Sequence, residues 1–117
     1  EFKDNTAFQG GAIFINNSVS NCKINSTFIN NSAYQGGAIF FNGETDNNII
    51  AGYFEGNEAE RIGGALCFQA KASNNIISAE FYNNKAKTFN IARISLIIYF
   101  VLYSSYKEIC FETLSVF

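Results

Sequence analysis

Glu55, Glu58 and Glu60, beside Arg61, come closest to a set of side chains that could move protons. Converging carboxylates, helped by a base or a bound calcium ion, are what glycosidic-bond cleavage needs. The chain has only two aspartates, Asp4 and Asp46, and no histidine. The two aspartates stand at different stations of the repeat described below, so carboxylates do not line up from one copy to the next. A solvated turn accounts for the glutamates. No catalytic, cofactor-binding or metal-binding residue is expected, and the chain reads as a non-enzyme.

Thiol chemistry is no better supported. Cys22, Cys67 and Cys110 lie 45 and 43 residues apart, with no CxxC spacing for zinc or for a redox pair. Cys67 takes the station held by Phe14 and Phe40 in other copies, so it reads as a small apolar filler. Three such thiols leave the redox compartment open. The glycine pairs could suggest a phosphate cradle, but neither GxGxxG nor GxxxxGK spacing is present. Asn16-Asn17-Ser18, Asn25-Ser26-Thr27 and Asn30-Asn31-Ser32 are glycosylation sequons. They fit an exterior setting, although a chain rich in Asn and Ser yields such triplets by chance.

The elements that would hold these residues follow from a repeat. FKDNTAFQGGAI begins at Phe2, FINNSAYQGGAI at Phe28 and FEGNEAERIGGAL at Phe54; FYNNKA at Phe81 is a partial copy. The four phenylalanines are 26, 26 and 27 residues apart, the last interval containing one extra residue before Gly63. A fixed period of this size denotes a repeat architecture. Four residues before each later Phe stand Ile24, Ile50 and Ile77, and two before it stand Ser26, Gly52 and Ala79. This period of two predicts a strand with one buried face. A second strand follows each glycine pair, with Asn, Gly and Ser corners between. Before residue 88 no segment has helical periodicity.

A strand-only unit of this length cannot bury its own apolar face. Stacked copies can, with equivalent strands parallel, in register and about 4.8 Å apart. The fold expected is therefore all-β: a right-handed parallel β-helix of three to four coils, followed by a non-repeat C-terminal apolar segment. Phe2, Phe28, Phe54 and Phe81 should stack inside. Asn5, Asn31, Asn57 and Asn84 should form a corner ladder, themselves in the left-handed conformation. The glycine pairs should supply positive φ or a close backbone approach. Phe14, Phe40 and Cys67 make the second strand apolar on its outer face too, which calls for a cover from outside. Glu58 and Lys85 share a station one rung apart and should attract weakly.

The repeat region is assigned to residues 1–87 and a second, non-repeat region to 88–117. Ile94 to Tyr106 carries no charge, and Arg93 is the only one between Thr88 and Tyr106. This run is short of the roughly 20 apolar residues that span a membrane as a helix. A strand or helix capping the solenoid is the favoured reading, with a membrane anchor or unrelated sequence as the others. A chain of 117 residues with no Met, starting inside a repeat unit, reads as a piece of a longer array. Its net charge of -2, without a basic cluster, argues against a nucleic-acid partner.

The GGAI and FxxN motifs together resemble the repeat of the polymorphic outer membrane proteins, and of adhesin-like, Asn-rich surface proteins that share them. The matching residues are Phe2, Asn5 and Gly10 to Ile13; Phe28, Asn31 and Gly36 to Ile39; and Phe54, Asn57 and Gly63 to Leu66, with Phe81 and Asn84 matching FxxN alone. The resemblance implies a pectin lyase-like right-handed β-helix at the cell surface or outside the cell, serving adhesion or surface structure. Its partners would be glycans or proteins of a host or neighbouring cell, with membrane contact only through the parent chain or the tail. The chain is too short to supply the membrane β-barrel of the family's autotransported members. The rival expectation is a fragment of a β-helix polysaccharide lyase or hydrolase.

Overall fold

The computed structural model describes residues 1–87 and, as backbone, 98–104 and 109–111. Each turn of the chain contributes a strand to each of three sheets stacked in parallel, and the first two turns add a short fourth strand to the first sheet. The first turn holds β1 (Phe2–Lys3), β2 (Thr6–Gln9), β3 (Ile13–Ile15) and the short β4 (Val19–Ser20). The second holds β5 (Lys23–Ile29), β6 (Ser32–Gln35), β7 (Ile39–Phe41) and β8 (Thr45–Asp46). The third holds β9 (Ile49–Glu55), β10 (Glu58–Ile62) and β11 (Leu66–Phe68), after which β12 (Ala72–Tyr82) and β13 (Lys85–Ala86) open a fourth. β1, β5, β9 and β12 form one sheet, continued by β8 and β4 along the start of β12; β2, β6, β10 and β13 form the second; β3, β7 and β11 the third. No helix occurs among the described residues. The expected parallel β-solenoid is therefore the observed fold, and besides the two strands marked by the sequence pattern each turn has another, β2, β6 or β10, between the Asn and the glycine pair.

Register follows the repeat. Phe2 pairs with Phe28, Phe28 with Phe54 and Phe54 with Phe81. Their rings stack at centroid separations of 5.0, 4.6 and 5.0 Å, close to the rise between strands. Phe41 and Phe68 form a second stack at 4.6 Å. The core is built from these columns with Ile50, Ile77, Ile39 and Leu66. The extra residue of the longer interval is absorbed in β10, whose register against β6 shifts between Ala59 and Ile62. Such a bulge adds a residue to one strand without disturbing the turns beyond it.

Both uses of a glycine pair occur, one per residue. Gly10, Gly36 and Gly63 have φ of 58, 64 and 69°. The second glycine makes room for the next turn: a Cβ on Gly37 would lie 2.1 Å from the carbonyl oxygen of Gly64.

The asparagine column corrects one expectation. Asn31, Asn57 and Asn84 are buried, and each amide nitrogen donates along the stack: Asn5 to Asn31 at 2.9 Å, Asn31 to Asn57 at 2.9 Å and Asn57 to Asn84 at 2.8 Å. The left-handed residue is the one before, namely Asp4, Asn30, Gly56 and Asn83. That residue turns the chain, and the turn aims the following Asn inward. A second ladder of the same kind was not anticipated. Asn48 donates to Asn75 at 2.9 Å, and Asn48 Oδ1 accepts from the backbone N–H of Cys22 at 2.9 Å. Left-handed Asn21, Asn47 and Asn74 precede its three rungs.

The outer face of the third sheet is partly covered. Phe40 and Cys67 are fully buried and cluster with Ile62, whereas Phe14 in the first turn is 43% exposed. Two antiparallel strands lie on the last turn. β14 (Ile98–Ser104) pairs with β12, and β15 (Ile109–Phe111) pairs with β11. The rest of the segment assigned to 88–117 lies outside the described residues, and no helix among those described is long and apolar enough to cross a membrane. Antiparallel edge strands occupy the ladder positions that a further parallel turn would need.

Candidate functional site

The ionisable residues singled out in the sequence do not converge on one site. Glu55 ends β9 and hydrogen-bonds Tyr53; burial first, and this neighbour second, push the Tyr53 phenol above its ordinary value. Glu58 and Glu60 sit on β10, where Lys87 Nζ reaches them at 3.4 and 2.7 Å. The expected partner, Lys85, does stand opposite Glu58 in register, but the ion pair runs to Lys87. Side chains two residues apart on a strand share a face, which lets Lys87 span both glutamates. Glu60, then Glu58, hold the Lys87 ammonium above the usual lysine range. Asp4 occupies a left-handed corner, while Asp46 lies on β8.

The other candidates resolve as follows. The glycine pairs are buried against the next turn, which leaves no place for a phosphate. Asn16, Asn25 and Asn30, the acceptor residues of the three sequons, are exposed. Cys22 is a free, partly buried thiol. Cys67 is buried, as its station implied, but it is disulfide-bonded and not merely a filler. The backbone register sets Cys110 of β15 opposite it. Among the described residues no group of His, Cys, Asp or Glu could hold a metal ion.

A concave site lies elsewhere, on the ribbon of β4, β8 and the start of β12. It is a groove of about 480 Å³. Register stacks Val19, Thr45 and Ala72 in one column and Ser20, Asp46 and Ser73 in the next. The first column turns inward, with Thr45 and Ala72 buried, and the alternation of a strand sends its neighbours outward. The groove floor is thus flanked by Ser18, Glu44 and Lys71 on one side and by Ser20, Asp46 and Ser73 on the other. Asn74 Nδ2 donates to Asp46 Oδ1 at 3.0 Å and fixes that carboxylate. Among the described residues neither Glu44 nor Lys71 is in an ion pair. Sequence reasoning passed over this site because its stretches read as corners. Its outward stations change residue type from turn to turn and so leave no repeat signal.

A different exposed feature lies on the second sheet. Phe8 and Tyr34 stack outward at 5.2 Å, with Phe8 71% exposed. Stacking covers one face of each ring and leaves their edges to solvent.

Neither a curated protein nor a solved structure matches this chain. Residues 25–42, which run from the first long strand through the buried Phe28, the ladder residue Asn31 and the Gly36–Gly37 pair, match the Chlamydia polymorphic membrane protein repeat.

Proposed function

We infer that the chain is a non-catalytic repeat module of a cell-surface or extracellular protein, built to hold a binding surface rigid. The observation that carries this reading is the repeat match over residues 25–42, on a turn whose register and ladders recur along the solenoid. The Cys67 disulfide adds independent support, because such bonds persist mainly in oxidising compartments. The three exposed sequon asparagines suit the same setting. Glycans or proteins of another cell are the partners of such a surface. A stack held by buried amide ladders loses little freedom when a ligand settles on it, which favours recognition.

Glu44 and Asp46, two carboxylates on one groove, keep a carbohydrate-active enzyme as the second reading. Both residues are exposed, so water is not excluded from them, which ranks this reading lower. Protease shaving of intact source cells tests the leading reading. Release of peptides from residues 1–87 without lysis is the expected result; a protein protected until lysis, with Cys67 reduced, overturns it. Turnover of any polysaccharide by the purified chain, lost in Glu44→Gln, would establish the second reading instead.

A further inference from the structure

The geometry points to the groove along β4, β8 and β12 as a binding site for a neutral oligosaccharide, held by side chains alone. This deepens the surface-module reading and rests on it for biological context, though not for the chemistry. The groove, at about 480 Å³, is the size of a small-ligand site, but its outward lining is polar. An apolar ligand would gain little there, since Val19 is the only apolar side chain in the lining.

Charge narrows the class. Two carboxylates, Glu44 and Asp46, face one ammonium, Lys71. A phosphate, a sulfated chain or a nucleic acid would meet net repulsion. A divalent cation finds no sufficient cluster among the described residues. A peptide adding as a strand would take the open edge of this ribbon, which belongs to β4 at the rim; along the middle of the groove β8 is paired on both sides, to β4 and to β12, and offers none. What remains is a ligand rich in hydroxyl groups, each able to donate to a carboxylate and accept from an ammonium or a serine. Neighbouring hydroxyls of a sugar ring can bind one carboxylate with both its oxygens, as charge-assisted bonds. Asp46 is already oriented for this by Asn74. Ser20 and Ser73, its neighbours in register, present small hydroxyls on either side of it.

The test is titration of the isotope-labelled whole chain by NMR with a panel of neutral hexasaccharides (malto-, cello-, chito-, manno- and galacto-series) and with polygalacturonate and heparin as anionic probes. At least one neutral member should shift the amides of Ser20, Asp46, Ser73 and Asn74 saturably. Asp46→Ala and Glu44→Gln should each weaken that binding about tenfold, the loss of one charged hydrogen bond. Phe8→Ala, on another sheet, should not change it. An unchanged fold in each variant is read from the Phe28 and Phe54 ring signals. The assignment is overturned if no panel member shifts those amides, if only the anionic probes do, or if neutral sugars bind through Phe8 and Tyr34 instead. In each of those cases surface exposure, read by shaving, can still hold, so the two failures are separable.

Discussion

The side-chain amide of Asn31 donates to Asn57 Oδ1 at 2.9 Å, and both residues are completely buried. The same oxygen accepts the backbone N–H of Asn31, while Asn57 Nδ2 closes on the carbonyl of Phe28. One side chain therefore satisfies donors and an acceptor on the preceding turn together. Removing it strands them without water. Asn57→Ala is expected to lower stability by about 3–5 kcal/mol, several buried polar groups being left unpaired. Asn5→Ala, at the exposed end of the same ladder, should cost about 1 kcal/mol or less. Urea titrations of the two variants compare them; equal losses would show that burial does not give the ladder its strength.

Gly37 tests spacing rather than backbone conformation. Unlike Gly36, it does not have a positive φ, yet an added Cβ would meet Gly64 O at 2.1 Å and Glu58 O at 2.7 Å. Both obstacles are backbone and cannot swing aside. Gly37→Ala should therefore force two turns apart and destabilise by about 3 kcal/mol or more, as overpacking does at its upper end. A variant within 1 kcal/mol of the parent in thermal unfolding would mean that the turns are not held at strand-pairing distance.

The bulge in β10 gives a prediction about insertions. Ala59 pairs with Ala33 and Ile62 with Gln35, so Glu60 and Arg61 together face the single residue Tyr34. Deleting Arg61 restores the 26-residue period and should change stability by about 1 kcal/mol at most. Deleting Tyr53 from β9 shifts every later side chain of that strand to the wrong face, Phe54 included, and should prevent folding. Circular dichroism of the two deletions separates these outcomes. Equal damage from both would remove the bulge as the place where the extra residue is taken up.

Where one residue type recurs at one station, the fold could be read directly, as with the Phe column, the first Asn ladder and the Gly pairs. Legibility failed wherever the repeat is chemically silent. The turning residue before each ladder Asn is Asp4, Asn30, Gly56 or Asn83, so its conserved conformation hid behind a varied identity and was assigned one position too late. The second ladder was masked because Cys22 holds its first rung and contributes only a backbone N–H. The groove was missed for the same reason: Ser18, Glu44 and Lys71 share a place and no chemistry. The disulfide was missed because β15 runs antiparallel from outside the repeat, where phase says nothing about pairing.

Alkaline pH should erode stability. Burial and Glu55 raise the Tyr53 phenol, while Glu60 and Glu58 raise the Lys87 ammonium. In both cases the folded state holds its proton more tightly than the unfolded state does. The resulting stabilisation is complete below the unfolded values, about 10 for each, and fades as pH climbs through the folded ones. Stability followed from pH 8 to 11 should decline at the top of that range, shallowly, because both groups lie at the surface. Tyr53→Phe and Lys87→Gln should each flatten the decline, with added salt imitating the second more fully than the first, whose largest cause is burial. A slope unchanged in the double variant would place the titrating groups elsewhere.

The disulfide at Cys67 should set the strength of the closed end. Cys67 lies in β11, the last strand of the third sheet, and β15 runs back along it with Cys110 opposite. Between these two positions lie 42 residues, whose freedom must be surrendered for β15 to find its place. A cross-link between these two positions would remove most of that freedom from the unfolded chain instead, and bonds closing loops of this size stabilise by about 2–4 kcal/mol. Native protein should expose one reactive thiol per chain, Cys22, and three after denaturation with reductant. Reduction, or Cys110→Ser, should lower the unfolding free energy by that amount and leave the Phe28 and Phe54 stack intact, because the turns pair without the tail. Cys22→Ser should change little, since the bond to Asn48 comes from its backbone. Three reactive thiols in the native protein, or a reduced form as stable as the oxidised one, would show that the antiparallel strand holds to the last turn by its backbone ladder alone.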